Sequence, residues 1–118
     1  MVSKCLDSLG RQTYGSHRVL LVDNASSKDI LPEIAHAYPL VEILRLDQNH
    51  GFSGGINRGV AATGADYICV LNFDTVVEPD FISEMVKVIE TDADMVGVAP
   101  KMLISDKPHI FDSIGIAM

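Results

Sequence analysis

The chain is poor in cations, in cysteine and in long apolar runs, and each shortage removes a class of function. Nine Lys and Arg stand against sixteen Asp and Glu, a formal charge of -7 over 118 residues and a pI near 4.8. A duplex-binding surface must cluster cations to neutralise phosphates, so no nucleic-acid partner is expected. A polybasic membrane contact is excluded on the same ground. No apolar run reaches the roughly 18 residues of a bilayer-spanning helix, so no transmembrane segment is expected. The opening Met1-Val2-Ser3-Lys4-Cys5 lacks the basic, apolar and cleavage-site pattern of a signal peptide, and a cytoplasmic chain is the expectation. Cys5 and Cys69 stand in no ligand spacing and read as buried free thiols in a reducing compartment. The letters G-x-S-x-G occur at Gly51 to Gly55, but they follow the polar Asp47 to His50 rather than a strand, so a serine hydrolase elbow finds no support. Neither G-x-x-x-x-G-K-[ST] nor G-x-G-x-x-G occurs, which removes the two common nucleotide fingerprints. Histidines 17, 36, 50 and 109 show no paired metal spacing.

What is present is a folding composition, 47% hydrophobic and 21% charged, which excludes disorder. Short apolar runs alternate with helix-period segments, the pattern of an α/β domain with a mainly parallel sheet. A helix is expected over Lys4 to Gln12, with Cys5, Leu6 and Leu9 on one face. His17 to Val22 reads as a strand. Ser26-Ser27-Lys28-Asp29 gives an S-x-x-D start for a helix through Tyr38, with Pro32 tolerated in its first turn. Val41 to Leu46 reads as a second strand. Gly51-Phe52-Ser53-Gly54-Gly55-Ile56-Asn57-Arg58-Gly59 reads as a loop running into a helix. Tyr67 to Leu71 is expected to be a fully buried strand, Glu78-Pro79-Asp80 opens a helix, and Met95 to Ala99 is a last strand. From Pro100 the pattern weakens.

A crossover helix needs a strand on either side to bury its apolar face, yet this chain opens on a helix. A central strand is missing from the pattern. Residues 1–118 are therefore expected to form a single partial domain. Unpaired edges beside the gap call for cover, by a homodimer or by a rearranged C-terminal segment.

Polar groups gather just after the strands, at Asp23-Asn24, at Asp47 to Asn49 and at Asn72 to Asp74. Ligands of open α/β sheets bind outside the carboxyl ends of the strands, so these groups can converge on one crevice. Asp and Asn also favour turns and caps for purely local reasons. Asp74, projecting from the rim of a buried strand, offers an oxygen ligand for Mg²⁺ or Mn²⁺ beside phosphate oxygens; it could equally cap the next turn. Gly51, Gly54 and Gly55 could bring backbone amides to a phosphate or sugar. Gly59 reads as helix-to-sheet packing. Arg58 could reach a phosphate, or stay solvated.

Taken in order, Cys5-Leu6-Asp7-Ser8-Leu9, Gln12-Thr13-Tyr14, Leu21 to Ser26, Asn49 to Gly59, Leu71 to Thr75, Pro100-Lys101 and Asp112 to Gly115 resemble the family 2 glycosyltransferases of the GT-A fold, in their rhamnosyltransferase-like branch. The resemblance implies a Rossmann-like, inverting enzyme that uses a divalent metal, Mg²⁺ or Mn²⁺. Its donor would be a UDP- or dTDP-linked sugar and its acceptor a sugar or a lipid-linked sugar. By position Asp23 would meet the nucleotide base. Asn24, Asn49, Gly51, Gly54, Gly55, Asn57 and Arg58 would line the nucleotide and sugar site. Asn72-Phe73-Asp74 would match the D-x-D metal motif, with Asp74 as metal ligand and the Asn72 carboxamide free to bond sugar or ribose hydroxyls. The family's opening strand has no counterpart before Cys5. No residue is identified as the base that deprotonates the acceptor, and turnover by this chain alone is not expected. The rival readings are a non-catalytic nucleotide-binding or protein-interaction remnant and, further off, a phosphoacceptor receiver domain. The receiver reading has no use for residues 51–59. A D-x-D-x-T phosphatase is discarded because Asn72 cannot form an aspartyl-phosphate.

Overall fold

The computed structural model describes residues 1–113. They divide into two compact units, Met1–Arg11 with Gly15–Val77, and Gln12–Tyr14 with the chain from Glu78 onward. No helix among the described residues is long and apolar enough to cross a membrane.

The first unit begins with helix α1, Val2–Gly10, which buries Cys5, Leu6 and Ser8. Strand β1, Leu20–Asp23, pairs in parallel with β2, Glu42–Arg45. Between them lies helix α2, Leu31–Ala37, which buries Ile34. This is the expected α/β arrangement, a parallel pair with flanking helices. The S-x-x-D start does not form. Helix α2 begins only at Leu31, where the Asp29 carboxylate accepts from the Leu31 N–H at 3.3 Å while also facing Arg45 Nη1 at 3.1 Å. The Tyr38 hydroxyl donates to the Asp7 carboxylate at 2.9 Å, tying the end of α2 to α1.

The glycine-rich stretch is helical from its first residue, so the helix expected there forms and the loop expected to lead into it does not. Residues Gly51–Ala61 form helix α3, and the glycines are what allow it to seat on β1. A Cβ on Gly59 would stand 2.9 Å from Val22 Cγ2, and one on Gly55 would stand 3.3 Å from the Asn24 amide nitrogen. Spaced four apart, Gly55 and Gly59 share one helix face, and both are buried. Gly59 is the packing residue its spacing predicts. Gly51 opens the helix at a φ of 71°, a left-handed conformation natural to glycine.

Two expected strands are absent. Tyr67–Leu71 and Met95–Ala99 carry no strand, because a strand exists only with a neighbour to complete its ladder, and neither segment has one among the described residues. Tyr67, Ile68 and Val70 stay about half exposed, and Cys69, expected to be buried, is exposed as well.

In the second unit, helix α4, Phe81–Ile89, starts against Gln12. The Gln12 carboxamide accepts from the Ile82 N–H at 2.9 Å and donates to the Glu78 carbonyl at 2.7 Å. It thereby satisfies a donor that the first helical turn leaves unpaired. The Thr13 N–H bonds the Pro79 carbonyl at 2.8 Å. Strands β3, Met102–Ile104, and β4, Lys107–Ser113, then form an irregular antiparallel pair. Ile114 and Gly115 of the resemblance lie outside the described residues.

Candidate functional site

The parallel register sets Asp23 opposite Arg45. The carboxylate, 9% exposed, accepts from the Ser26 N–H at 3.0 Å through Oδ1 and faces Arg45 Nε at 3.5 Å through Oδ2. Hydrogen bonds from Ser26, its side chain first and then its backbone, together with the Arg45 charge, outweigh burial and hold the Asp23 carboxyl below its usual range. The turn they close includes Ala25 at a φ of 59°. A non-glycine residue in that region persists only where its surroundings over-determine it. Asp23 is thus ionised and fixed, and a carboxylate retains lone pairs for a further donor.

Asn24 joins the first two polar groups. Its Oδ1 accepts from the His50 N–H at 2.9 Å. Its Nδ2 donates to Asn49 Oδ1 at 3.2 Å and to the Gly51 carbonyl at 2.9 Å. Asn49 Oδ1 in turn accepts from the Gly51 N–H at 2.8 Å. The end of β1 and the start of α3 are therefore closed on each other by one carboxamide. Asn24 spends its polar atoms on that closure, and Gly55 lies directly beneath it. Asp47 and His50 face each other at 3.4 Å, and the histidine contact holds the Asp47 carboxyl below its ordinary value.

Asn57 and Arg58 are exposed on α3. Arg58 Nη1 is turned back onto the Gly54 carbonyl of its own helix at 3.2 Å. A Cβ on Gly54 would meet His50 Cβ at 2.8 Å, so its lack of a side chain serves the entry to α3.

Asn72, Phe73 and Asp74 are exposed at a turn closed by the Thr75 N–H on the Asn72 carbonyl at 3.2 Å. This turn is anchored on α1 rather than on the Asn24 junction. The Cys5 thiol points at the Asn72 carbonyl at 3.8 Å, and the Ser8 hydroxyl accepts from the Val77 N–H at 3.2 Å. Burial, and after it the Asp74 charge, push the Cys5 thiol up. Among the described residues no three His, Cys, Asp or Glu gather as a metal cage. A lone exposed carboxylate is still a fitting donor for Mg²⁺ or Mn²⁺, hard cations that take much of their coordination from substrate phosphates and water.

Arg45, Cys5 and Ser8 are the site residues that sequence reasoning missed. Arg45 meets Asp23 through the register of the parallel pair, which no local pattern in the sequence encodes. Cys5 and Ser8 stand in the first segment of the resemblance, and Cys5 on an apolar helix face, but no pattern ties either to the turn at Asn72. A cavity of about 590 Å³ lined by Leu6, Leu9, Val19, Tyr38 and Val41 lies where the chain enters β1 and β2, away from these polar groups.

The family model for glycosyl transferase family 2 matches residues 1–113. Among curated proteins the chain is similar to the glycosyltransferase AglE of Haloferax volcanii, 30% identical over 102 residues, covering 81% of this chain and 34% of that protein. It is similar to the succinoglycan biosynthesis protein ExoO of Rhizobium meliloti, 31% identical over 88 residues, covering 73% of this chain and 25% of that protein. An uncharacterized glycosyltransferase of Nostoc is 28% identical over 108 residues, covering 89% of this chain and 33% of that protein. The chain spans about a third or less of the length of these relatives. No solved structure matches it.

Proposed function

The chain belongs to glycosyl transferase family 2, and on that premise we propose that it is the nucleotide-sugar-binding portion of an inverting enzyme that moves a sugar from a nucleotide diphosphate to an acceptor hydroxyl. The observation that carries this reading is the Asn24 junction, which holds an ionised Asp23, Asn49 and the glycine-rich start of α3 at one end of the parallel pair. Polar groups beyond the carboxyl ends of parallel strands are where α/β sheets take nucleotides.

Asp23, kept charged and oriented by Ser26 and Arg45, accepts the imide N–H of a uracil or thymine base, which favours UDP- or dTDP-linked donors. Asn49 and Asn57 present exposed carboxamides to ribose or sugar hydroxyls, and Gly51 leaves the helix entrance open. Arg58 reaches phosphate by releasing the Gly54 carbonyl. Asn24, Gly54 and Gly55 serve the site by shaping it. Asp74 holds a divalent metal, Mg²⁺ or Mn²⁺, and the Asn72 carboxamide bonds a sugar or ribose hydroxyl. When bound, the metal offsets the charge that builds on the departing diphosphate.

A general base must lie within hydrogen-bond reach of the attacking hydroxyl. Residues 1–118 are proposed as a single partial domain that supplies donor binding, with no residue assigned as that base. The acceptor is a sugar or a lipid-linked sugar, the setting is the cytoplasm, and a second copy of this chain is the proposed cover for the exposed apolar segment at Tyr67 to Val70. Thermal shift with UDP, dTDP and GDP, each with and without Mn²⁺, tests the reading. Stabilisation by UDP or dTDP that requires the metal is expected. A chain indifferent to all three nucleotides contradicts it.

A further inference from the structure

Ser8 is out of place by the ordinary rules for a helix face. It sits inside α1 between the buried Cys5 and Leu6 and the half-buried Leu9, and it is 0% exposed. An apolar residue or alanine would suit the helix better, and a hydroxyl buried without partners is costly. The Ser8 hydroxyl donates to the Cys5 carbonyl one turn back at 2.7 Å and accepts from the Val77 N–H at 3.2 Å. The second bond crosses 69 positions of sequence and is not needed by the helix. Val77 is itself buried, so without Ser8 its N–H would lose this partner in a place with little access to water.

The bond matters because of where Val77 stands. Three positions before it is Asp74, and five before it is Asn72, whose carbonyl receives the Cys5 thiol. Cys5 and Ser8 are three apart on one face of α1. One helix face therefore grips the backbone on both sides of the turn closed between Asn72 and Thr75, and the side chains of Asn72 and Asp74 are left exposed at its tip. We infer that Ser8 is a positioning residue for Asp74, its buried hydroxyl fixing the turn that presents the metal-binding carboxylate. The inference rests on the role given to Asp74 above. Groups that orient a ligand commonly matter to metal affinity almost as much as the ligand does.

The test takes the 118-residue chain as wild type, Ser8→Ala, Ser8→Cys and Asp74→Asn, titrates Mn²⁺ in the presence of UDP by calorimetry, and follows amide exchange over residues 72–77. Ser8→Cys keeps the shape with a somewhat larger atom and offers a poor acceptor, and it reads the same effect should Ser8→Ala fail to fold. Both Ser8 variants are expected to need roughly tenfold more Mn²⁺ for half-maximal UDP binding, to bind UDP as wild type once Mn²⁺ saturates, and to exchange the Val77 amide faster. If Asp74→Asn abolishes the Mn²⁺ response while both Ser8 variants keep the wild-type response, or their Val77 amide stays as protected as in wild type, the positioning role of Ser8 is overturned and the proposed function stands. If wild type shows no Mn²⁺ response, or Asp74→Asn retains it, the role of Asp74 fails and the role of Ser8 falls with it.

Discussion

At Asp23 the native state binds fewer protons than the unfolded chain, because the Ser26 hydrogen bonds and Arg45 depress its pKa. A depressed carboxyl adds stability that is present above its unfolded pKa, about 3.9, and is lost as the pH falls through the lower native value. Urea unfolding between neutral pH and pH 3 is expected to show wild type losing stability on the acid side. Asp23→Asn should be less stable near neutrality and flatter in acid; parallel curves for the two proteins would refute the assignment. Asn24 makes a separate prediction. Asn24→Ala removes bonds to His50, Asn49 and Gly51 and should cost about 1–2 kcal/mol. Asn24→Asp should fare little better, since a carboxylate cannot donate to the Asn49 oxygen and the Gly51 carbonyl. Denaturant midpoints of the two variants decide this.

At the level of elements, α3 depends on what its glycines leave out. Alanine normally favours a helix over glycine by about 1 kcal/mol. At Gly59 that preference should be overridden, because the new Cβ meets Val22 at 2.9 Å and must push α3 off β1. Gly59→Ala is expected to lower the melting temperature, whereas Gly10→Ala, with nothing within 4 Å of the added carbon, should leave it unchanged or raised. Equal shifts at both positions would mean that α3 does not rest on Val22. The same helix shows where sequence reading succeeds and stops. Helices α1, α2 and α4 were legible in their apolar period, and β1 and β2 in their apolar runs. The stretch from Gly51 to Gly59 reads as a loop running into a helix because local preference disfavours glycine in helices; the fit of Gly55 and Gly59 against Asn24 and Val22 lets the helix begin at Gly51 itself. Tyr67 to Leu71 read as a strand because its composition is that of one, yet composition cannot supply the neighbouring strand. Of the site, Asp23, Asn24 and Asp74 were legible as polar residues following apolar runs. Arg45 and Ser8 act through partners fixed by register and by contact across the fold, which no local pattern encodes.

For the molecule as a whole, the exposed Tyr67, Ile68 and Val70 form an apolar, strand-like segment that a second copy could cover by pairing edge to edge. Light scattering is expected to report a dimer, and Val70→Lys to return it to monomer; a wild-type monomer would rule this out. The acidic balance of the chain includes Asp23 and Asp74, to which the proposed function gives opposite ends of one ligand, base and diphosphate. Calorimetry of UDP binding with and without Mn²⁺, on wild type and Asp74→Ala, tests that claim most directly. Binding that requires Mn²⁺ and weakens at least about tenfold in Asp74→Ala, or about 1.4 kcal/mol, is the expected result. No binding by wild type, or binding that Asp74→Ala leaves unchanged, would contradict it.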